Sequence, residues 1–408
     1  MRILLVTPFV PHVRVGHGTA TVASHVVEYF ARRHELSVVC FSFGEHETAL
    51  ARDISARGVE MRVVRFPESS ARQWRARIES LVRRTPYMIS LFDVSAMRAE
   101  LMRLFASRRF DLVQFDTTFV GAYADLVPSD GTRTALVEID VTVKPLARRY
   151  ERETSMLKRV WYARELKRMR QYEPALCRRF DRVFAVSRED RDELQKLDPS
   201  ISAGLFRYGA DPALFELPVK EHNDRTLLFM GAFLHQPNVD AASWFAKSIL
   251  PAIRAEIPET RCHFVGGNPP IWLQQLVRSR AASVTGWVPD VKPYVAGADV
   301  GIVPLLSGGG VKLKTIELMA AGKAIVTTSI GIEGVDARDG EHVLVADTAE
   351  TFASHVVRLL GDDRLRSRLG QQARELARRH HQWAHNLRRL EREYLDIVHG
   401  ADCHTQAV

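Results

Sequence analysis

Short β-type runs alternate with helix-length segments along most of this chain, and no other feature narrows the fold as far. In the first half the runs are Ile3–Thr7, Ser37–Phe41, Met61–Arg65, Leu112–Phe115, Ala135–Ile139 and Arg182–Val186. Helix-length stretches such as Thr19–Arg33 and Ala96–Arg108 lie between them. Strands that alternate with helices predict a mostly parallel sheet covered on both faces. Near residues 208–224 the pattern stops, punctuated by Gly209, Pro212, Pro218 and the polar segment Lys220–Arg225. It then restarts with strands at Thr226–Met230, Arg261–Val265, Ser283–Thr285, Val300–Val303 and Ala324–Thr327. Helices are expected at Val239–Ile249, Ile271–Arg278 and Leu313–Ala321. The chain of 408 residues therefore reads as two doubly wound α/β domains. The expected division is 1–208, a hinge at 209–224, a second domain at 225–380, and a helix and tail at 381–408 returning to the first domain.

Two further stretches read as helical. Tyr150–Arg179 carries Leu157, Val160, Trp161, Leu166 and Met169 at spacings of three to five, with a very basic outer face. Core packing and contact with an anionic membrane are both open for its apolar stripe. From about Thr348 to Val398 the chain predicts consecutive Arg-rich helices, anchored by residues such as Leu359, Leu369, Trp383, Leu387 and Tyr394.

The net charge of +8 lies wholly in residues 1–215, which hold 35 Lys and Arg against 27 Asp and Glu. A basic first half fits anionic partners: phospholipid, a polyprenyl-phosphate-linked substrate, an acidic glycan or nucleic acid. A solvated Arg-rich surface is the alternative. Nucleic acid is not expected, because neither a helix-turn-helix nor a basic-aromatic single-strand motif is present. Cys40, Cys177, Cys262 and Cys403 have no metal-ligand or disulfide spacing, so no structural metal is expected and a reducing compartment fits. No secretory leader and no membrane-spanning run is expected. The reading is a cytoplasmic protein, with peripheral contact at the inner face of the membrane left open.

Chemistry should sit in Val303–Val335. A strand ends at Pro304 and leads into Ser307, Gly308, Gly309 and Gly310, then Val311, Lys312, Leu313 and Lys314, and a helix carrying Glu317. Consecutive glycines let backbone N–H groups approach a bulky anion. A helix N-terminus and two lysines add positive charge where phosphate would lie. Glu317, one turn in, can accept hydrogen bonds from sugar hydroxyls. The Walker A spacing is absent. Gly16, His17 and Gly18 do not continue into a dinucleotide fingerprint, because Thr21 takes the third glycine position.

The run from Gly309 to Thr328, with Gly331–Val335 after it, resembles the donor-binding segment of glycosyltransferase family 4, retaining enzymes of the GT-B fold. Phe229–Ala232, Pro237–Ala241, Trp244 and Phe245 are similar to the first strand, loop and helix of the C-terminal domain in a bacterial polysaccharide-type subgroup. Thr285–Val291 is similar to the segment lining the nucleobase pocket, and Gly209–Phe215 to the hinge, with Tyr208 where Asn is usual. Tyr172, Glu173 and Val186–Asp190 also fit.

The resemblance implies two Rossmann-like domains with the active site in the cleft between them, and a nucleotide-diphosphate sugar as co-substrate, with no metal. Gly308, Gly309, Gly310, Val311, Lys312 and Lys314 would hold the diphosphate, Glu317 the ribose, and Gly286, Trp287 and Val288 the base. Ala232 and the loop to Asn238 would close over the phosphates. Gly18 belongs to the glycine loop beside donor and acceptor. Catalytic candidates are Asp140, His17, Lys312 and Lys314, with Asp116 a second acceptor-side carboxylate. Two departures stand out. Gly309 occupies the position where many members carry a second glutamate, and Ala232 stands where many have arginine. The implied reaction is hexosyl transfer to a glycan, lipid-linked or small-molecule hydroxyl with retention. A non-catalytic nucleotide-sugar-binding subunit and an inverting GT-B transferase or epimerase are the alternatives.

Overall fold

The computed structural model describes residues 1–16, 18–218, 224–276 and 282–400. The chain divides into two compact units. One is Met1–Phe206 with the chain from Leu387 onward, and the other is Arg207–Asn386.

In the first unit β1 (Arg2–Thr7), β2 (Glu35–Ser42), β3 (Glu60–Arg65), β4 (Leu112–Asp116), β5 (Arg133–Glu138), β6 (Arg182–Ala185) and β7 (Ala203–Leu205) form one sheet. The order is β3-β2-β1-β4-β5-β6-β7, and every pair is parallel. β1 and β4 are neighbours in register Ile3 to Leu112 through Val6 to Phe115. The inner strands are apolar because helices cover both faces. Leu4, Val6, Phe41, Val113, Phe115 and Leu136 are fully enclosed.

The second unit repeats the plan with β8 (Thr226–Met230), β9 (Arg261–Val265), β10 (Ala282–Val284), β11 (Val300–Val303), β12 (Ala324–Thr327) and β13 (Leu344–Val345). Its order is β10-β9-β8-β11-β12-β13, again parallel throughout. In open sheets of this kind ligands bind beyond the carboxyl ends of the strands, where the strand order reverses. Those points are the β1/β4 crevice in one unit and the β8/β11 crevice in the other.

Three sequence expectations change. The stretch Tyr150–Arg179 is not one helix but two, Val143–Arg152 and Met156–Cys177. The chain turns extended at Ser155, whose N–H donates to the Glu153 carboxylate at 2.9 Å, and that local bond competes with the helix. The helix expected over Val239–Ile249 runs as Gln236–Trp244, widens to a π turn at Phe245–Ile249 and continues as Leu250–Glu256. Pro251 has no N–H to donate, and the wider turn absorbs its ring. The short strands β7 and β13 carry too few residues to register as a pattern. The expected helix at Ile271–Arg278 is seen as Ile271–Leu276, and its end lies outside the described residues.

Ala349–Gly361, Asp363–His380 and Trp383–His399 form the expected run of terminal helices. Thr348 and Asp362 cap the first two through the N–H groups of Thr351 and Leu365. The last helix starts against the second unit, where the Trp383 ring lies 6.1 Å from that of Tyr208. From Leu387 it packs on the first unit. Tyr394 is enclosed between Phe30 and Phe184, and its hydroxyl donates to Gln114 at 2.8 Å. Glu391 accepts from Tyr29 at 2.7 Å, and Glu393 pairs with Arg182 at 2.9 Å.

Candidate functional site

At the β8/β11 crevice the loop after β8 starts with Gly231. A side chain there would strike the Lys314 ammonium and the Asn238 amide at under 3.0 Å, so only glycine lets these groups reach the strand end. Lys314 donates to Asn238 Oδ1 at 2.6 Å, and Asn238 Nδ2 donates to the Ala232 carbonyl at 2.7 Å. Ala232, Asn238 and Lys314 thus form one chain of bonds across the switch point. The Lys314 ammonium also lies 5.2 Å from the centre of the Phe229 ring, which helps hold a cation there.

The loop after β11 turns through Gly308 (φ 122°) and Gly310 (φ 63°), backbone geometries that other residues reach only under strain. Lys312 is buried, and its ammonium donates to the carbonyls of Gly309 and Gly310 at 2.8 and 2.6 Å. It therefore braces its own loop. The helix Leu313–Ala320 follows directly, with no side-chain cap on its first N–H groups. Glu317 lies one turn in. Protein packed around Lys314 lowers its pKa to about 7, helped by the charge of Lys312 and opposed by Glu317. Burial raises Glu317 to about 7, with Lys314 opposing the shift. A cation and an acid whose pKa values burial shifts in opposite directions at a switch point mark a candidate site for an anion or for catalysis.

Three threonines not foreseen from the sequence hold these loops together. Thr315 donates to the Gly331 carbonyl at 2.7 Å, Thr328 to Leu305 at 2.6 Å, and Thr327 to Val303 at 3.2 Å. Their only sequence signal was the polar pair Thr327–Thr328 ending an apolar strand. Gly286, Trp287 and Val288 follow β10 on the same edge of the sheet. Trp287 is 53% exposed, and the Gly286 carbonyl accepts from the Gly266 N–H at 3.1 Å and from Thr285 at 2.8 Å. The donor-side candidates of the second unit thus sit on one edge of its sheet, whereas Gly18 belongs to the first unit.

In the first unit Gly18 opens the helix Gly18–Ala31 beyond β1, and His17 lies outside the described residues. Asp116 is the last residue of β4. It is 3% exposed and accepts from Gln114 Nε2 at 2.7 Å. Burial raises its pKa to about 7, opposed by the hydrogen bond from Gln114. Asp140 is half-buried in the bend after β5. The sequence reading missed its support. Glu138, ending β5, and Glu173, on Met156–Cys177, are fully enclosed and face the same Thr118 hydroxyl, at 2.5 and 3.3 Å. Glu173 also accepts from the N–H groups of Thr142 and Val143 at 2.8 and 3.4 Å, fixing the loop that carries Asp140. Burial raises both pKa values, Glu173 to about 7 and Glu138 well above the usual range, Glu138 further by the charge of Glu173. Backbone donors favour ionised Glu173, so Glu138 is the protonated partner. A separate concavity of about 350 Å³, lined by His12, Val27, Glu28, Arg32 and Arg57, holds none of the candidate residues.

Among the described residues no helix is long and apolar enough to cross a membrane. Residues 224–362 match the family of glycosyl transferases group 1. A protein described as an uncharacterized 44.6 kDa protein in the cps region of Klebsiella pneumoniae is 21% identical over 271 residues, 64% of this chain and 68% of that protein. Among solved structures, sucrose-phosphate synthase from Thermosynechococcus elongatus superposes with a TM-score of 0.69 at 16% identity, covering 98% of this chain and all of that one. HepE from Anabaena, solved with UDP, superposes with a TM-score of 0.68 at 12% identity over 97% of this chain and all of that one. The same protein was also solved with UDP-glucose. Two parallel-sheet Rossmann-like units and a helical C-terminus are the GT-B plan, and residues 224–362 are similar to the glycosyl transferases of group 1.

Proposed function

We propose that this protein transfers a hexosyl group from a nucleotide-diphosphate sugar to an acceptor hydroxyl with retention at the anomeric carbon. The observation that carries the reading is the Lys314–Asn238–Ala232 chain beside Glu317 at the β8/β11 switch point, inside the matched segment. The difficult step is departure of the nucleoside diphosphate. Negative charge grows on its β-phosphate, and fixed donors aimed there lower the barrier. Lys314 and the N-terminal end of the helix Leu313–Ala320 supply that field, while Lys312 holds the glycine loop in shape. Glu317 accepts from the ribose, and the edge carrying Gly286, Trp287 and Val288 takes the base. With lysine and backbone donors in this role, the proposed chemistry needs no metal ion. Asp140, set by Glu173, is the proposed acceptor-side carboxylate. The UDP and UDP-glucose complexes of HepE support a nucleotide-sugar donor. Within the same proposal the reaction belongs to family 4, to the synthesis of a cell-surface polysaccharide or glycoconjugate, and to the cytoplasmic side of the membrane.

Thermal shift against UDP, GDP, ADP, CMP and their sugars, with and without EDTA, tests the donor site. A ligand at about 100 times its dissociation constant adds roughly 2.7 kcal/mol. Selective stabilisation by one nucleotide, insensitive to EDTA and lost in Lys314→Ala, supports the reading. No response from the folded protein removes it. Stabilisation without transfer or hydrolysis would make the chain a binding subunit, which the glycine at position 309 favours as the second reading. The anomeric configuration of the product, read by NMR, tests retention.

A further inference from the structure

The helix Ser70–Arg83 is inside out. Its inward face carries Ala76 and Ser80 rather than large apolar side chains. It is bolted down by polar bonds: Arg72 donates to the carbonyls of Leu91 and Asp93, each at 2.9 Å, and Ser80 donates to Thr85 at 2.8 Å. Trp74, Ile78, Leu81 and Val82, at positions i, i+4, i+7 and i+8, share the opposite face. They point outward, with Trp74 62% and Val82 77% exposed. Arg75 and Arg77 border this stripe on its two sides, and Arg77 lies over the Trp74 ring at 4.9 Å. Glu79 is turned to Arg72 and Arg75, at 3.2 and 2.8 Å, and leaves the stripe free of negative charge.

The first turns of Met156–Cys177 repeat the device. Met156, Leu157, Val160 and Trp161 point away from the core, Leu157 being 86% exposed, and exposed Lys158, Arg159, Arg164 and Lys167 surround or follow them. The two helices are neighbours in the first unit. The Tyr87 and Trp161 rings meet edge-on at 6.2 Å, and Arg168 donates to Ser80 at 2.9 Å. Of the thirteen exposed large hydrophobic residues among those described, eight lie on these two helices, so this is a patch and not scatter.

We propose that this patch docks the protein onto the surface of an anionic phospholipid bilayer, through the outward faces of Ser70–Arg83 and the start of Met156–Cys177. An interfacial helix buries an apolar stripe at the headgroup boundary while flanking arginines reach the lipid phosphates, and tryptophan favours that depth. The charge of the patch selects the occupant: each Lys or Arg near a negative leaflet adds to binding, whereas a neutral protein groove would gain nothing from the arginines on both borders. The whole positive excess of the chain lies in residues 1–215, which contain this patch.

Flotation of the full chain with phosphatidylcholine vesicles, with and without phosphatidylglycerol, tests this. Binding is expected only with phosphatidylglycerol, falling as salt is raised. The exposed triple variant Trp74→Ser, Ile78→Ser, Leu157→Ser is expected to keep its melting temperature and to bind at least about tenfold more weakly. Arg75→Gln and Arg77→Gln are each expected to weaken partition roughly fivefold. Equal binding to neutral vesicles, no binding to either, or binding indifferent to these variants overturns the proposal. So does a wild-type dimer that the triple variant converts to monomer, which would make the face a self-association surface.

Discussion

The two units share one plan, a parallel sheet with a strand-order reversal, yet they place their charges in opposite ways. The second unit brings Lys314 and Glu317, both half-buried, to the open edge of the sheet, where a ligand can reach them. The first unit turns its carboxyls inward: Asp116 is held by Gln114, and Glu138 and Glu173 share Thr118. Burial shifts pKa values in both places, but only in the second do the shifted groups stay partly exposed, while Asp116, Glu138 and Glu173 are enclosed. A perturbed carboxyl is therefore a site marker only when the geometry leaves it an approach.

The sharpest test of the contrast is Lys314→Ala. Loss of one fixed donor to a developing oxyanion typically costs 10²–10³ in turnover, and a drop of about that size is expected in an initial-rate assay with little change in melting temperature. Lys312→Ala is expected to lower melting temperature as well, because its ammonium closes the glycine loop. Equal effects on rate from both, without loss of stability, would erase the distinction between donor and brace.

In the first unit stability should respond instead. Glu173→Ala strips acceptors from the N–H groups of Thr142 and Val143 and is expected to cost roughly 2–3 kcal/mol in denaturant unfolding. Glu138→Gln, which mimics the protonated partner, is expected to be nearly neutral. The reverse order would place the shared proton on Glu173.

The pH responses separate the units further. Asp116 has a folded pKa raised to about 7 above an ordinary value of 3.8, so its favourable contribution is complete below pH 4 and lost as pH rises to 7. Asp116→Asn should therefore gain stability relative to wild type across that window, read as melting temperature against pH. At the other site the proposed nucleotide binding would use charged Lys314, favoured below pH 7, and ionised Glu317, favoured above it. Affinity measured by calorimetry is expected to peak near pH 7 and to fall by up to about tenfold per pH unit on either side. A flat profile would show that neither group titrates on binding. The smallest effect should come from Tyr394→Phe, which removes one hydrogen bond to Gln114, worth about 1 kcal/mol.

Much of the second unit was legible in sequence because its parts are contiguous. The strand Val300–Val303, the glycines, both lysines and Glu317 fall within one short span, and a strand followed by a helix needs only local rules to predict. The helix break at Glu153–Ser155 was not legible, since only Thr154 and Ser155 separate two charged helical stretches and a single side-chain bond decides the backbone. Nor was the Glu138–Glu173 pair, whose members lie on a strand and a distant helix and meet only when the chain packs. The stripe of Ser70–Arg83 shows the same limit from the other side. Apolar residues at helical spacing do not say which face turns to water.

By itself, then, the sequence determined the alternation of elements, the restart beyond residue 224 and the local order of the glycine–lysine–glutamate segment, because each follows from neighbours along the chain. Only the tertiary structure decided which carboxyls lose their water, which lysine braces and which is presented, and that Trp74 faces outward. Burial and pairing depend on what other segments bring to the same point in space, and spacing along the chain does not carry that information.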